Sequence, residues 1–168
     1  MYTLIESTWP ELYQSAVDAF PGTTCRQYAV DPIAISEIMI VPFVGFRTLF
    51  IRGTATNEER EYRPMVLVKG IGYHDDRQSG DIQIRASDGQ DYWLEQPTMD
   101  DSEILLRCNC NDFNFRFTHY NFLDKSLYGR NRKKYYGHLW EANPRHLPGL
   151  CKHLIKFGII LKNSGLIV

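Results

Sequence analysis

Two short stretches decide how this chain is expected to fold: Ser102-Glu-Ile-Leu-Leu-Arg-Cys-Asn-Cys110 and Pro148-Gly-Leu-Cys-Lys-His153. Each of them ends in two residues of metal-binding type that are separated by one other residue. The apolar run of the first stretch predicts a strand that leads into two cysteines, and the proline and glycine of the second predict the start of a helix. The four candidate ligands are Cys108, Cys110, Cys151 and His153.

Three thiolates and one imidazole are a standard ligand set for tetrahedral structural zinc. Because protein side chains fill all four positions, none stays open for water, and the set predicts structural Zn²⁺ rather than a catalytic metal. The ion would also close the 40 residues between Cys110 and Cys151 into an ordered loop, since metal ligation adds folding free energy that a small lobe can lack.

Three other interpretations of these residues stay open. In the first, the cysteines are inert buried thiols beside a surface histidine. In the second, Cys25 forms a disulfide with one of the other three cysteines. In the third, His119, His138 or His146 replaces His153 as a ligand. With few cysteines and no signal-peptide pattern at the first residues, we expect reduced thiols, which favours metal binding. Cys25 itself is expected to be a small, buried, apolar side chain.

The spacing Cys-x-Cys…Cys-x-His resembles the SWIM-type zinc-binding motif, which occurs in proteins that bind DNA or other proteins. Longer stretches resemble virion structural proteins of tailed bacteriophages, especially those with contractile tails. These stretches are residues 107–117, 125–130 and 143–154, with weaker similarity at 20–27 and 31–33.

The phage resemblance implies a structural subunit of the tail, baseplate or neck that is made in the host cytoplasm and incorporated into the virion. Among positions in the particle, it favours the baseplate and tail region, and a neck or head–tail connector is the second choice. The implied partners are other phage structural proteins in a multi-subunit assembly. The SWIM resemblance implies an alternative, a zinc module that binds nucleic acid in phage DNA metabolism or packaging.

Composition narrows the functional classes further. Hydrophobic residues make up 43% of the chain and aromatic residues 13%, which is enough for a packed interior. No apolar run approaches the roughly 18 residues of a membrane-spanning helix, so no membrane partner is expected. The sequence contains no glycine-rich phosphate loop and no zinc-deaminase motif, and we expect a protein that is not an enzyme.

Charge is distributed unevenly along the chain. Residues 1–107 carry 17 acidic and 9 basic side chains, whereas residues 108–168 carry 3 acidic and 10 basic side chains. Basic and aromatic residues are interspersed in a stretch that we call the partner-binding loop. It suits either carboxylates on neighbouring proteins or nucleic acid, and we favour proteins. Its members are Lys125, Tyr128, Arg130, Arg132, Lys133, Lys134, Tyr135 and Tyr136.

The pattern as a whole predicts an α+β fold of two lobes. Residues 1–104 are expected to form an acidic lobe with an N-terminal helix at 7–20 and an antiparallel sheet or small barrel of about five strands. Residues 105–168 are expected to form a basic, aromatic, zinc-binding lobe. Within it, the alternation at 112–117 predicts a strand, and the apolar stripe at 150–163 predicts a C-terminal helix.

Overall fold

The computed structural model describes residues 7–27, 32–131 and 142–168, and within them the protein is a mixed α+β fold. The helices are α1 (Trp9–Ala19), α2 (Thr24–Gln27), a 3₁₀ turn (Val44–Phe46), a π-helix (Phe113–Phe117), α3 (Thr118–Leu123) and α4 (Lys152–Asn163). The strands are β1 (Ile33–Phe43), β2 (Thr48–Asn57), β3 (Arg60–Tyr62), β4 (Met65–Lys69), β5 (Tyr73–His74), β6 (Asp81–Arg85), β7 (Asp91–Glu95) and β8 (Ile104–Arg107).

The strands form two antiparallel sheets. The larger has the order β1-β2-β4-β8 with β3 paired to β2, and the smaller has the order β5-β7-β6. Neither sheet closes on itself, so an open sheet is confirmed and the barrel alternative is wrong. The described strands number eight rather than about five, because short strands such as β3 and β5 carry too few residues to show an alternating pattern.

The N-terminal helix forms where the sequence predicts it. The Thr8 side chain and the carboxylate of Glu11 make a capping box, in which Glu11 accepts the backbone N–H of Thr8 at 2.7 Å. Leu12, Ala16 and Ala19 are buried on one face of α1, and the helix ends just before Pro21.

Helix α4 lies against the larger sheet and against α1. Its apolar stripe of Leu154, Phe157 and Leu161 is fully buried, which confirms the predicted face. Gly158 lies directly under the indole of Trp9. One buried apolar cluster therefore includes residues of α1, of both sheets and of α4.

The segment at 112–117 is helical, so the predicted strand is wrong. Phe113 and Phe117 are both fully buried while Phe115 between them is exposed. Alternation of every second residue suggested a strand, but a spacing of four residues also places Phe113 and Phe117 on one helical face. The helical solution lets the backbone N–H of Phe113 reach the sulfur of Cys110.

Candidate metal centre

Local structure brings the four candidate ligands to one place. Strand β8 ends at Arg107, and Cys108 and Cys110 lie in the turn between this strand and the helical segment that follows. Cys151 is the N-cap residue of α4 with an extended backbone (φ −83°, ψ 167°), and His153 lies in the first turn of that helix. The sheet and the C-terminal helix therefore each supply two of the four side chains.

The geometry fits a single metal ion. The ligand atoms of all four side chains lie within 4.8 Å of one another. Zinc–sulfur bonds of about 2.3 Å in a tetrahedron require sulfurs about 3.8 Å apart, so small movements would complete the coordination sphere. The four residues are at most 3% exposed, so they form a closed site that could hold a metal ion.

The imidazole of His153 lies among the three sulfurs with only one of its two ring nitrogens in a hydrogen bond. Its Nδ1 lies 3.9 Å from Sγ of Cys108. Its Nε2 is buried and has no hydrogen-bond partner among the described residues. A buried polar nitrogen without a partner is costly, and metal coordination at the ring removes part of that cost.

The thiols strongly influence one another's ionisation. Burial raises the pKa of Cys108 and of Cys151. Hydrogen bonds from Cys108 and then from Cys151 hold the pKa of Cys110 far below its ordinary value. The cluster therefore favours a thiolate at Cys110 that accepts hydrogen bonds from two buried thiols. A divalent cation would replace those protons and let all three sulfurs ionise.

Neighbouring groups fix the ligands in position. The backbone N–H of Phe113 donates to Sγ of Cys110 at 3.3 Å. Between the cysteines, the side-chain oxygen of Asn109 accepts the backbone N–H of Arg63 at 2.8 Å, which ties the turn to the end of β3. The ring of Tyr62 stacks on His153 with centroids 4.2 Å apart.

An ion pair holds the helical segment close to the centre. Asp112, two residues after Cys110, accepts two hydrogen bonds from the Arg26 guanidinium, both at 2.7 Å. Arg26 is only 4% exposed and lies over the ring of Phe20 at 4.5 Å. This bidentate pair fastens α2 to the π-helix beside the metal ligands.

Cys25 lies apart from this centre. It is a free, exposed cysteine, so the expectation of a buried side chain is wrong. In the short helix α2, the neighbouring side chains of Arg26 and Gln27 occupy the inward positions instead. The other three cysteines are also free thiols in this structure. Among the described residues, neither His119 nor His146 joins the cluster, and His138 lies outside them.

The described part of the partner-binding loop borders the larger sheet. Leu106 donates to the carbonyl of Ser126 at 2.8 Å, and Tyr128 donates back to Leu106 at 3.0 Å, which adds a short parallel bridge to β8. The Tyr128 ring lies 5.2 Å from Phe50, while Lys125 and Arg130 are exposed. The remaining members lie outside the described residues: Arg132, Lys133, Lys134, Tyr135 and Tyr136.

Sequence reasoning identified the ligands but missed the residues that support them. Tyr62, Asn109 and Arg26 contact the centre or its flanking helix from other parts of the chain. Asn109 carried a signal, because a turn between two ligands needs a small polar residue that can accept a backbone N–H. Nothing in the sequence linked Tyr62 to His153, which lies 91 positions later.

No family model, curated protein or solved structure matches this chain. Among the described residues, no helix has the length and apolar character needed to cross a membrane.

Proposed function

We propose that the metal is zinc and that its role is structural. Support comes from the ligand set, since Cys₃His suits tetrahedral Zn²⁺ and leaves no coordination position for substrate or water. The ion would bind the turn after β8 to the start of α4. The two segments are distant in sequence, since Cys110 and Cys151 are 41 positions apart, and the shared ion would stabilise their contact.

We further propose that the protein is a structural, non-catalytic subunit of a tailed-phage virion, in the baseplate or tail region, which bridges neighbouring subunits. The phage assignment comes from the sequence resemblance. The closed Cys₃His centre is the observation that most favours a structural over a catalytic role. A neck or head–tail connector position is the second location within the same proposal.

Exposed apolar side chains support a role in assembly. The tip of the β1–β2 hairpin presents Phe43, Val44 and Phe46, of which Phe46 is 83% exposed. At the base of this tip, the backbone N–H of Ile71 donates to the carbonyl of Arg47 at 2.8 Å. A large exposed aromatic residue on a turn is typical of a protein–protein contact.

The experiment is a mass-spectrometric inventory of purified phage particles before and after removal of their DNA. Under the proposal, the protein stays in emptied particles at a fixed ratio to known tail subunits. Its absence from washed particles, or its loss together with the DNA, would contradict a structural role.

A nucleic-acid-binding module is the competing function, and the basic character of the C-terminal part favours it. Residues 142–168 contain four basic side chains and no acidic ones. Changing Arg130, Arg132, Lys133 and Lys134 together to serine separates the two functions. Defective particles with normal DNA replication support the structural role, whereas normal tails with impaired replication or packaging support nucleic-acid binding. In the second case, affinity for DNA should also fall steeply with added salt.

A further inference from the structure

Two surfaces of this chain are opposite in charge. The first, the small-sheet face, is the outward side of β5-β7-β6. Strand alternation places Asp91, Trp93 and Glu95 of β7 on this side, since Leu94 between them is fully buried. Asp75 and Asp76 are exposed and directly follow His74, the cross-strand neighbour of Trp93. The partly buried Trp93 therefore has an acidic residue two positions away on each side along β7.

The small-sheet face has a net negative charge. Asp75, Asp76, Asp91 and Glu95 outnumber Arg77 and Arg85 there. Asp91 pairs with Arg85 at 2.6 Å, and the Arg77 guanidinium lies 5.7 Å from the centre of the Trp93 ring. The face therefore keeps an excess of negative charge, although the cation nearest the indole is Arg77.

The second surface, the α3 face, lies at the end of α3 and in the residues after it. Phe122 and Leu123 are 49% and 57% exposed, although both are large apolar side chains. Two exposed cations, Lys125 and Arg130, follow them. Between them in sequence, the partly buried Asp124 carboxylate accepts the Ser7 hydroxyl at 2.9 Å, so the two cations leave this surface with an excess of positive charge.

We propose that the small-sheet face of one copy binds the α3 face of a second copy. Trp93 would contact Phe122 and Leu123, and the carboxylates around it would meet Lys125 and Arg130. Tryptophan is a frequent centre of binding energy at protein interfaces, and opposite charges at the rim steer association. Because the two faces differ, the contact is heterologous, and a third copy adds in the same way to form a chain or ring.

The size of the surfaces sets the expected strength. Three large apolar side chains and a charged rim describe a small interface, which gives weak, salt-sensitive association rather than an obligate oligomer. We therefore expect a 19.6 kDa monomer in dilute solution and larger species as the protein concentration rises. Association should weaken between about 0.05 M and about 0.5 M salt, because surface charges are screened over shorter distances.

Charge reversal tests the pairing by sedimentation velocity. The first variant carries Asp75→Lys and Asp76→Lys, which make the small-sheet face basic. The second variant carries Lys125→Glu and Arg130→Glu, which make the α3 face acidic. Each alone should weaken self-association about tenfold or more, because like charges then face each other. A matched control, Glu58→Lys with Glu59→Lys, makes the same charge change on the exposed β2–β3 turn and should associate like the unchanged protein.

The decisive measurement mixes the two reversed variants in equal amounts. One variant then offers two basic faces and the other two acidic faces, so mixed assemblies should form although neither variant assembles alone. Circular dichroism and metal content confirm that both variants stay folded. Wild-type protein that is monomeric at every concentration and salt overturns the proposal. So does a mixture that fails to assemble, an effect no larger than the control's, or association that requires added nucleic acid.

Discussion

The ring of Tyr62 covers the imidazole of His153, with centroids 4.2 Å apart and planes inclined by 29°. Tyr62 ends strand β3, and the neighbouring backbone N–H of Arg63 donates to Asn109 between the first two cysteines. The short strand β3 therefore covers the centre on the side of the larger sheet. It contributes no ligand, but it restricts the orientation of one ligand and the access of water.

Tyr62→Ala should weaken metal retention while leaving all four ligands in place. Loss of an outer contact of this kind typically lowers metal affinity by about 10–100-fold. A chromophoric chelator measures the rate of metal transfer at fixed pH. Tyr62→Phe keeps the aromatic ring and is the matched control, so it should release metal at nearly the unchanged rate. Equal rates for the alanine variant and the unchanged protein would show that the stack does not protect the site.

The second prediction concerns metal content. The recombinant protein should contain about one zinc ion per chain, as closed Cys₃His sites do. Cys108→Ala, Cys110→Ala, Cys151→Ala and His153→Ala should each reduce that content and loosen the packing of α4. Cys25→Ala is the control and should retain full content, since Cys25 is exposed and apart from the cluster. Elemental analysis after gel filtration provides the measurement, and a fully loaded Cys110→Ala would disprove the assignment.

The third prediction separates metal ligation from disulfide formation. A strong chelator should lower the unfolding temperature, because the ion binds the folded state and not the unfolded chain. A mild reductant should leave the temperature unchanged, because the cysteines are free thiols. Differential scanning fluorimetry compares the two treatments side by side. The opposite pattern, together with an intact mass lower by two protons, would indicate a disulfide.

The Cys₃His cluster was predictable because its signals are local. Two ligand pairs at i, i+2 spacing, a strand before one pair and a helix start before the other are all visible in short stretches, and the structure brings these ligands together. The C-terminal helix and α1 were predictable for the same reason, since an apolar stripe and a capping box each occupy a few turns.

Two predictions from the sequence were wrong because tertiary contacts decide the structure at those positions. Phe113, Phe115 and Phe117 fit the periods of both a strand and a helix, and burial of Phe113 and Phe117 against the core selects the helix. Cys25 was expected inside because free cysteine is commonly buried, but the Arg26–Asp112 ion pair orients α2 so that Arg26 is buried instead. Both outcomes depend on contacts with residues that are distant in sequence.

The fourth prediction uses two aspartates with opposite pKa shifts. Burial raises the pKa of Asp124, so its contribution to stability is present below the unfolded pKa of about 3.9 and is lost as pH rises through the folded pKa. Asp124→Asn should therefore raise the free energy of unfolding at pH 7 by a small amount, since the group is partly exposed. The gain should disappear in acid, as measured by denaturant unfolding across pH.

Asp88→Asn is the matched variant, and it should change the free energy of unfolding in the opposite direction. A backbone hydrogen bond from Gln90 and then the Tyr92 hydroxyl lower the pKa of Asp88, so its contribution is present at neutral pH and is lost as pH falls through the folded pKa. Asp88→Asn should therefore destabilise the protein at neutral pH, and the difference should shrink in acid. Two variants that change stability in the same direction at neutral pH would contradict the assigned environments.

The last prediction tests the contact between α1 and α4. A Cβ placed on Gly158 would lie 2.4 Å from the Trp9 indole, which is closer than atoms can approach, so Gly158→Ala forces the buried Trp9 to shift. Alanine favours the helix over glycine by about 1 kcal/mol, whereas overpacking costs about 1–3 kcal/mol, so the net effect should be destabilising by up to about 2 kcal/mol. That corresponds to a drop in the unfolding midpoint of up to about 8 °C. Gly45→Ala, where nothing lies within 4 Å of the added Cβ, should leave the midpoint nearly unchanged. A higher midpoint for Gly158→Ala would mean that Trp9 yields without cost and that α1 does not hold α4 in place.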